Sequence, residues 1–219
     1  MIEPNSELII DFELVRKNIQ EIKKRLPKDC NFMGVIKSDA YGHDLKIATN
    51  AIKDAVDGFG VVRLDEALVI RENSLKPILA MQGVYSTDAY NLLEQNDIWS
   101  VIHSTLQLPL AKQYKNNLIF WIKLNTGMNR LGIKLNELNQ FESFLTDQNV
   151  LMTHLACADN PSDELNKIQL RNFENSWSQA TNEMKRSVLN SAGVFNFPEY
   201  SYDWVRVGIA MYGGLALPI

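Results

Sequence analysis

The sequence predicts an α/β fold, a (β/α)8 barrel of the TIM type, and three observations carry the prediction. Short apolar runs recur eight times, and their hydrophobicity is continuous rather than alternating, as in strands buried on both faces of a parallel sheet. Between the runs lie stripes with the period of amphipathic helices. The sequence contains no Gly-x-Gly-x-x-Gly fingerprint, which would favour the alternative, an open doubly wound sheet. Strand count favours the barrel.

In chain order, Glu7–Asp11 reads as a strand ahead of the first helix and outside the eightfold repeat. Val15, Ile19, Ile22 and Leu26 form one helical face that stops at Pro27, because proline cannot continue a helix. The eight strands are expected at Phe32–Ile36, Phe59–Val62, Ile78–Met81, Trp99–Ile102, Leu118–Leu124, Val150–Leu155, Val188–Asn190 and Val205–Ala210. Leu45, Ala48, Ile52 and Ala55 make a second helical stripe, closed by the turn pair Asp57-Gly58. Leu138, Phe141 and Leu145 make a third. The longest helix is expected from Ser162 to Glu183, after the start signal Asn160-Pro161. The chain stops at Pro218-Ile219 with no closing helix, so both ends read as surfaces that meet something further. With no internal repeat, low-complexity tract or linker, residues 1–219 read as one domain.

Composition narrows the function classes. The 219 residues carry 22 Lys+Arg against 26 Asp+Glu, a formal net charge of −4, and 46% are hydrophobic, an ordinary balance that excludes disorder. A mildly acidic chain without basic blocks has no electrostatic footprint for nucleic acid. No apolar run is long enough to span a bilayer, and Met1–Ser6 does not read as a secretory signal. Cys30 and Cys157 suggest no disulfide framework, so a cytoplasmic location is expected.

Chemistry in a barrel collects at the C-terminal ends of the strands. Lys37 follows Met33-Gly34-Val35-Ile36 directly and should point into the mouth. A lysine there can form a Schiff base with an aldehyde cofactor, or it can snorkel to water from a strand end. Asn190-Ser191-Ala192-Gly193 and Val207-Gly208-Ile209 end the seventh and eighth strands, where barrels often bind phosphate; they read equally as ordinary Gly/Ser turns. Arg206 would enter the same mouth, and Lys123 and Arg130 flank a glycine-containing loop. His43, His103 and His154 show no metal-ligand spacing, so no metal site is expected.

Four segments of the sequence resemble the alanine racemase family. They are Val35-Ile36-Lys37-Ser38-Asp39-Ala40-Tyr41-Gly42-His43, Lys123-Leu124-Asn125-Thr126-Gly127-Met128-Asn129-Arg130-Leu131-Gly132, Thr153-His154-Leu155-Ala156-Cys157-Ala158-Asp159 and Val205-Arg206-Val207-Gly208-Ile209-Ala210-Met211-Tyr212-Gly213. Their order and spacing carry the resemblance over nearly the whole chain. Ser38, Asp39 and Val207 depart from the family pattern, the last standing where proline is usual.

The resemblance implies a fold-type III enzyme dependent on pyridoxal 5′-phosphate that interconverts L- and D-alanine. Lys37 would hold the cofactor through a Schiff base and serve as one of two catalytic bases. Tyr41, Ser191, Gly208 and Ile209 would bind its phosphate, and Arg206 its pyridine nitrogen. Arg130 would sit beside the phenolic oxygen and the substrate carboxylate as a second catalytic group. Lys123 matches a position that is carbamylated in many relatives and then orients Arg130. His154 would lie next to Arg206, and Asn190 beside the cofactor. The opposite base in the family is a tyrosine from the C-terminal β-domain of the other subunit of a homodimer. The chain therefore reads as a barrel shortened before that domain, able to bind cofactor but impaired in racemisation. A single-domain pyridoxal-phosphate carrier has similar length and the same fold, and is the alternative; a relative acting on serine or decarboxylating amino acids is a third. For a racemase, the product D-alanine would imply a bacterial cell-wall role, as a precursor of peptidoglycan.

Overall fold

The computed structural model describes residues 9–180 and 184–214. Eight parallel strands form a nearly closed barrel: β1 Asn31–Val35, β2 Gly58–Val61, β3 Ile78–Ala80, β4 Ile98–Ile102, β5 Phe120–Lys123, β6 Val150–Met152, β7 Lys185–Ser187 and β8 Trp204–Val207. The hydrogen-bonded order runs β7-β6-β5-β4-β3-β2-β1-β8, so consecutive strands are neighbours and β1 pairs with β8, with Gly34 opposite Val207.

Between β7 and β8 there is no ladder. The gap is closed by the Arg206 amide on Leu189 O at 3.0 Å, the Ser187 hydroxyl on Trp204 O at 2.8 Å, and the Arg186 amide on Asp203 Oδ2 at 2.8 Å. This explains the one of the eight barrel strands that the sequence misplaces. The apolar run Val188–Asn190 lies beyond the ladder, and β7 is the preceding Lys185–Ser187. A strand bonded to a neighbour on one side alone tolerates the polar Lys185 and Arg186, so continuous hydrophobicity does not mark it.

Helices cover the outside: α1 Phe12–Lys23, α2 Leu45–Ile52, α3 Leu64–Arg71, α4 Thr87–Gln95, α5 Leu108–Tyr114, α6 Glu164–Ala180 and α7 Ser191–Asn196. Asp11 caps α1 by accepting from the Glu13 amide at 2.9 Å, and Val15, Ile19 and Ile22 are its buried face. The helix ends at Lys23 and tighter turns carry the chain past Leu26 to Pro27. Of the strand expected at Glu7–Asp11, Glu7 and Leu8 lie outside the described residues; Ile9 and Ile10 are not in a strand, and Asp11 is the cap. The long helix starts at Glu164, where Asp163 accepts from the Leu165 amide at 2.9 Å; residues 181–183 of its expected span lie outside the described residues, as do Pro218 and Ile219. Of the stripe Leu138, Phe141 and Leu145, the first two lie in a 3-10 segment, Leu135–Phe144, in place of an α-helix, and Leu145 caps its end. Among the described residues no helix is long and apolar enough to cross a membrane.

The barrel interior is a filled layer. Met33, Leu79, Val101, Trp121, Val150, Met152 and Trp204 pack together there, with the Trp204 ring 5.7 Å from Trp99 and 5.9 Å from Trp121 in edge-on arrangements. Gly58 makes room for this layer, since a Cβ there would stand 3.3 Å from the Trp204 ring. The pleat repeats every two residues, so the same inward faces continue upward. Met33 leads to Val35 and Lys37, Trp121 to Lys123, Met152 to His154, and Trp204 to Arg206 and Gly208. The tryptophan layer is the floor of whatever sits in the mouth.

Candidate active site

Above that floor lies a cavity of about 590 Å3, a size suited to a small-molecule ligand. All ten residues singled out in the sequence line it: Lys37, Tyr41, Lys123, Arg130, His154, Asn190, Ser191, Arg206, Gly208 and Ile209. Met81, Gln82, Met152 and Asp159 also line it and were not anticipated. Met81 and Met152 belong to strands that read as plain core, Gln82 follows the third of them, and Asp159 is the acidic residue among the lining side chains.

Arg206 is 4% exposed and donates to Ser187 Oγ, to Thr153 O at 2.6 Å and to Val188 O at 3.2 Å. A guanidinium has five N–H donors, so its Nε–H and one Nη1 hydrogen remain for a ligand. Burial lowers its pKa to about 10, which still leaves it charged at neutral pH. His154 next to it is pushed down to about 3, first by burial and then by the charges of Arg206, Lys123, Arg130 and Lys37. It is a neutral imidazole, and its Nε2 lies 3.5 Å from Asn190 Nδ2.

Lys123 is 8% exposed, and its amine has no hydrogen-bond partner among the described residues. Burial first, and then the charges of Arg206, Arg130 and Lys37, lower its pKa to about 8. A lysine depressed on folding binds fewer protons than in the unfolded chain between pH 8 and its ordinary value of 10.5. Stability therefore rises with pH across that window. Replacement by Met removes the buried ammonium, so Lys123→Met should unfold at higher urea than the wild type at pH 7, with the difference shrinking towards pH 10. A lower midpoint for Lys123→Met at pH 7 would contradict this account of the charge.

The loop bearing Arg130 is built by Asn125, whose Oδ1 accepts from the Gly127 and Asn129 amides at 3.2 and 3.0 Å, while Asn129 takes a left-handed φ of 57°. It is anchored from α6. Gln169 is fully buried and donates to Thr126 Oγ1 at 3.2 Å and to His154 O at 3.0 Å, and accepts from the Ala156 amide at 2.8 Å. A polar residue four positions after Leu165 on a core-facing stripe was the signal for Gln169.

On the opposite side, Ser191 Oγ accepts from the Gly208 amide at 3.0 Å and the Ala210 amide at 3.4 Å. Tyr41 packs so close to Gly208 that a Cβ there would meet Tyr41 Oη at 2.2 Å. Only glycine allows that approach, and it leaves hydroxyls and main-chain N–H groups around one small space. The Lys37 amine stands 5.9 Å from the Tyr41 ring centroid. Behind Tyr41, Tyr212 stacks on His43 at 4.3 Å. His103 lies outside this cavity, bonded to Tyr85 Oη and Gln82 O.

Residues 10–216 match the family model described as alanine racemase, N-terminal domain. The alanine racemase of Pasteurella multocida is 35% identical over 208 residues, covering 91% of this chain and 57% of the relative. The chain thus spans about 57% of the length of the curated relatives it matches. Among solved structures, the alanine racemase of Acinetobacter baumannii superposes with a TM-score of 0.88 at 32% identity, over 95% of this chain and 60% of that one. The alanine racemase of Bartonella henselae, a structure with covalently bound pyridoxal phosphate, gives 0.85 at 25% identity over 94% and 60%.

Proposed function

This chain belongs to the alanine racemase N-terminal domain family, and from that premise we propose that it holds pyridoxal 5′-phosphate on Lys37 and serves the interconversion of L- and D-alanine. The observation that carries the proposal is the meeting of four cationic side chains, Lys37, Lys123, Arg130 and Arg206, with the Tyr41–Ser191–Gly208 cradle around one cavity. The cradle that a Cβ would fill, together with the free donors of Arg206, fits a phosphate at one end and a ring nitrogen at the other.

When bound, the cofactor supplies an aldehyde for the amine and a ring that withdraws electrons from the substrate Cα. Tyr41 Oη, Ser191 Oγ and the Gly208 and Ile209 main chain would bind the phosphate. Arg206 would donate to the pyridine nitrogen and, being charged, keep it unprotonated. The ring then withdraws electrons weakly, which limits side reactions and leaves a Cα proton as the main thing to move. Lys37 would move that proton on one face. Arg130 would bind the substrate carboxylate, and neutral His154 and Asn190 would hold Arg206 and the ring in place. Lys123, whose amine is half-way to neutral near pH 8, is suited to take up carbon dioxide; as a carbamate it would place an anion beside Arg130. Racemisation needs a second base on the other face. We assign it to a tyrosine of a partner subunit in a homodimer, in keeping with the family pattern.

The test is covalent trapping. The Lys37 amine condenses with the aldehyde, releasing one water, and borohydride then delivers hydride to the C=N carbon. Peptide mapping of the purified chain should find the reduced adduct on Lys37. In deuterated water, L-alanine incubated with the loaded protein should gain deuterium at Cα. An adduct on another lysine, or none, would reject the assignment.

A further inference from the structure

The four residues after Lys37 have a backbone found nowhere else in the described chain. Ser38, Asp39, Ala40 and Tyr41 all have φ between 53° and 58° and ψ between 30° and 57°, a single turn of left-handed helix. For L-residues that handedness brings Cβ too close to the following carbonyl oxygen, and none of the four is glycine. Such a turn persists only where its surroundings over-determine it.

The hydrogen bonds identify what holds it. Glu66 Oε1 accepts from the Ser38 amide at 2.6 Å and the Asp39 amide at 3.3 Å, and its Oε2 accepts from the Val62 and Arg63 amides at 3.2 Å each. The Arg63 bond is the ordinary reach of a helix's third residue back to its cap. The bonds to Ser38 and Asp39 are not capping, since they cross from the end of β2 to the end of β1. No other side chain among the described residues accepts from the amides of this turn. One carboxylate thus ties two strand ends together, just past the residue whose amine enters the cavity.

We propose that Glu66 is a positioning residue for Lys37: it fixes the left-handed turn and so sets the direction from which the amine enters the mouth. This rests on the cofactor reading above. Four N–H donors need two acceptor oxygens, which a carboxylate supplies. In a glutamine one of the two becomes an NH2 group facing donors.

The test compares two ligands. Pyridoxal 5′-phosphate reports the lysine through absorbance of the Schiff base; pyridoxine 5′-phosphate has no aldehyde and reports the rest of the site. Glu66→Gln should raise the apparent Kd for the first at least about tenfold and for the second by a clearly smaller factor, because Tyr41 shares the turn but Ser191, Gly208 and Arg206 are untouched. Should that variant not fold, Glu66→Asp decides. It keeps the charge but is one methylene short of spanning from α3 to Ser38, and should show the same selective loss. Equal losses for both ligands, or no loss for either, in a folded variant would overturn the role of Glu66. A wild-type chain that takes no label at Lys37 would instead overturn the cofactor reading.

Discussion

Lys37→Ala should leave a folded barrel that acquires no borohydride-stable cofactor. The side chain is half-buried and accepts or donates no hydrogen bond among the described residues, so its removal strands no partner. A substitution of that kind changes stability by about 0.5 kcal/mol or less. The loss of the adduct should nevertheless be complete, and this is where the two cavity lysines part. On basicity alone Lys123 is the better nucleophile, since its amine is held down at about 8. Geometry points the other way. Lys37 faces the Tyr41 ring and the cradle at Gly208, whereas Lys123 is walled in at 8% exposure. Mass mapping of the trapped variant is decisive: an undiminished label that has moved to Lys123 would show that basicity rather than placement selects the amine.

Arg206→Leu should destabilise the chain by about 2–4 kcal/mol, the second large effect. From β8 the guanidinium reaches across the unladdered gap to Ser187 and Val188 at the end of β7 and to Thr153 at the end of β6. Leucine fills much of the volume but leaves two buried carbonyls and a hydroxyl without those donors, each a cost of about 1–3 kcal/mol. Relief of repulsion with Lys123 and Arg130 offsets part of it. Urea unfolding measures the balance. A variant as stable as the wild type would mean that desolvating the charge costs as much as its hydrogen bonds return.

Most of the framework was legible in the sequence, and the reasons are local. β1 to β6 are paired on both sides, and β8, though laddered to β1 alone, is buried throughout, so Phe59, Ile78, Phe120 or Val205 announce them. β7 is bonded to one neighbour only, and its Lys185 and Arg186 hid it. The residues that line the cavity were legible because strand ends open into the mouth, and Lys37, Lys123 and Arg206 each stand at or just past such an end. The supports were not. Glu66 and Gln169 stand in no motif of the sequence, because the partners that give them their roles come from distant segments. The left-handed turn has no glycine within Ser38–Tyr41 to advertise it.

The unladdered gap between β7 and β8 has a thermodynamic consequence. Amides near Ser187 and Trp204 have fewer main-chain partners than those of a closed cylinder, so local opening there should take the least free energy and admit solvent deuterium first. Ser191 and Gly208 stand on the two lips of that opening, joined at 3.0 Å. An anion gripping both lips binds the closed cylinder alone and acts as a clasp, so ligand uptake and completion of the barrel are one linked equilibrium.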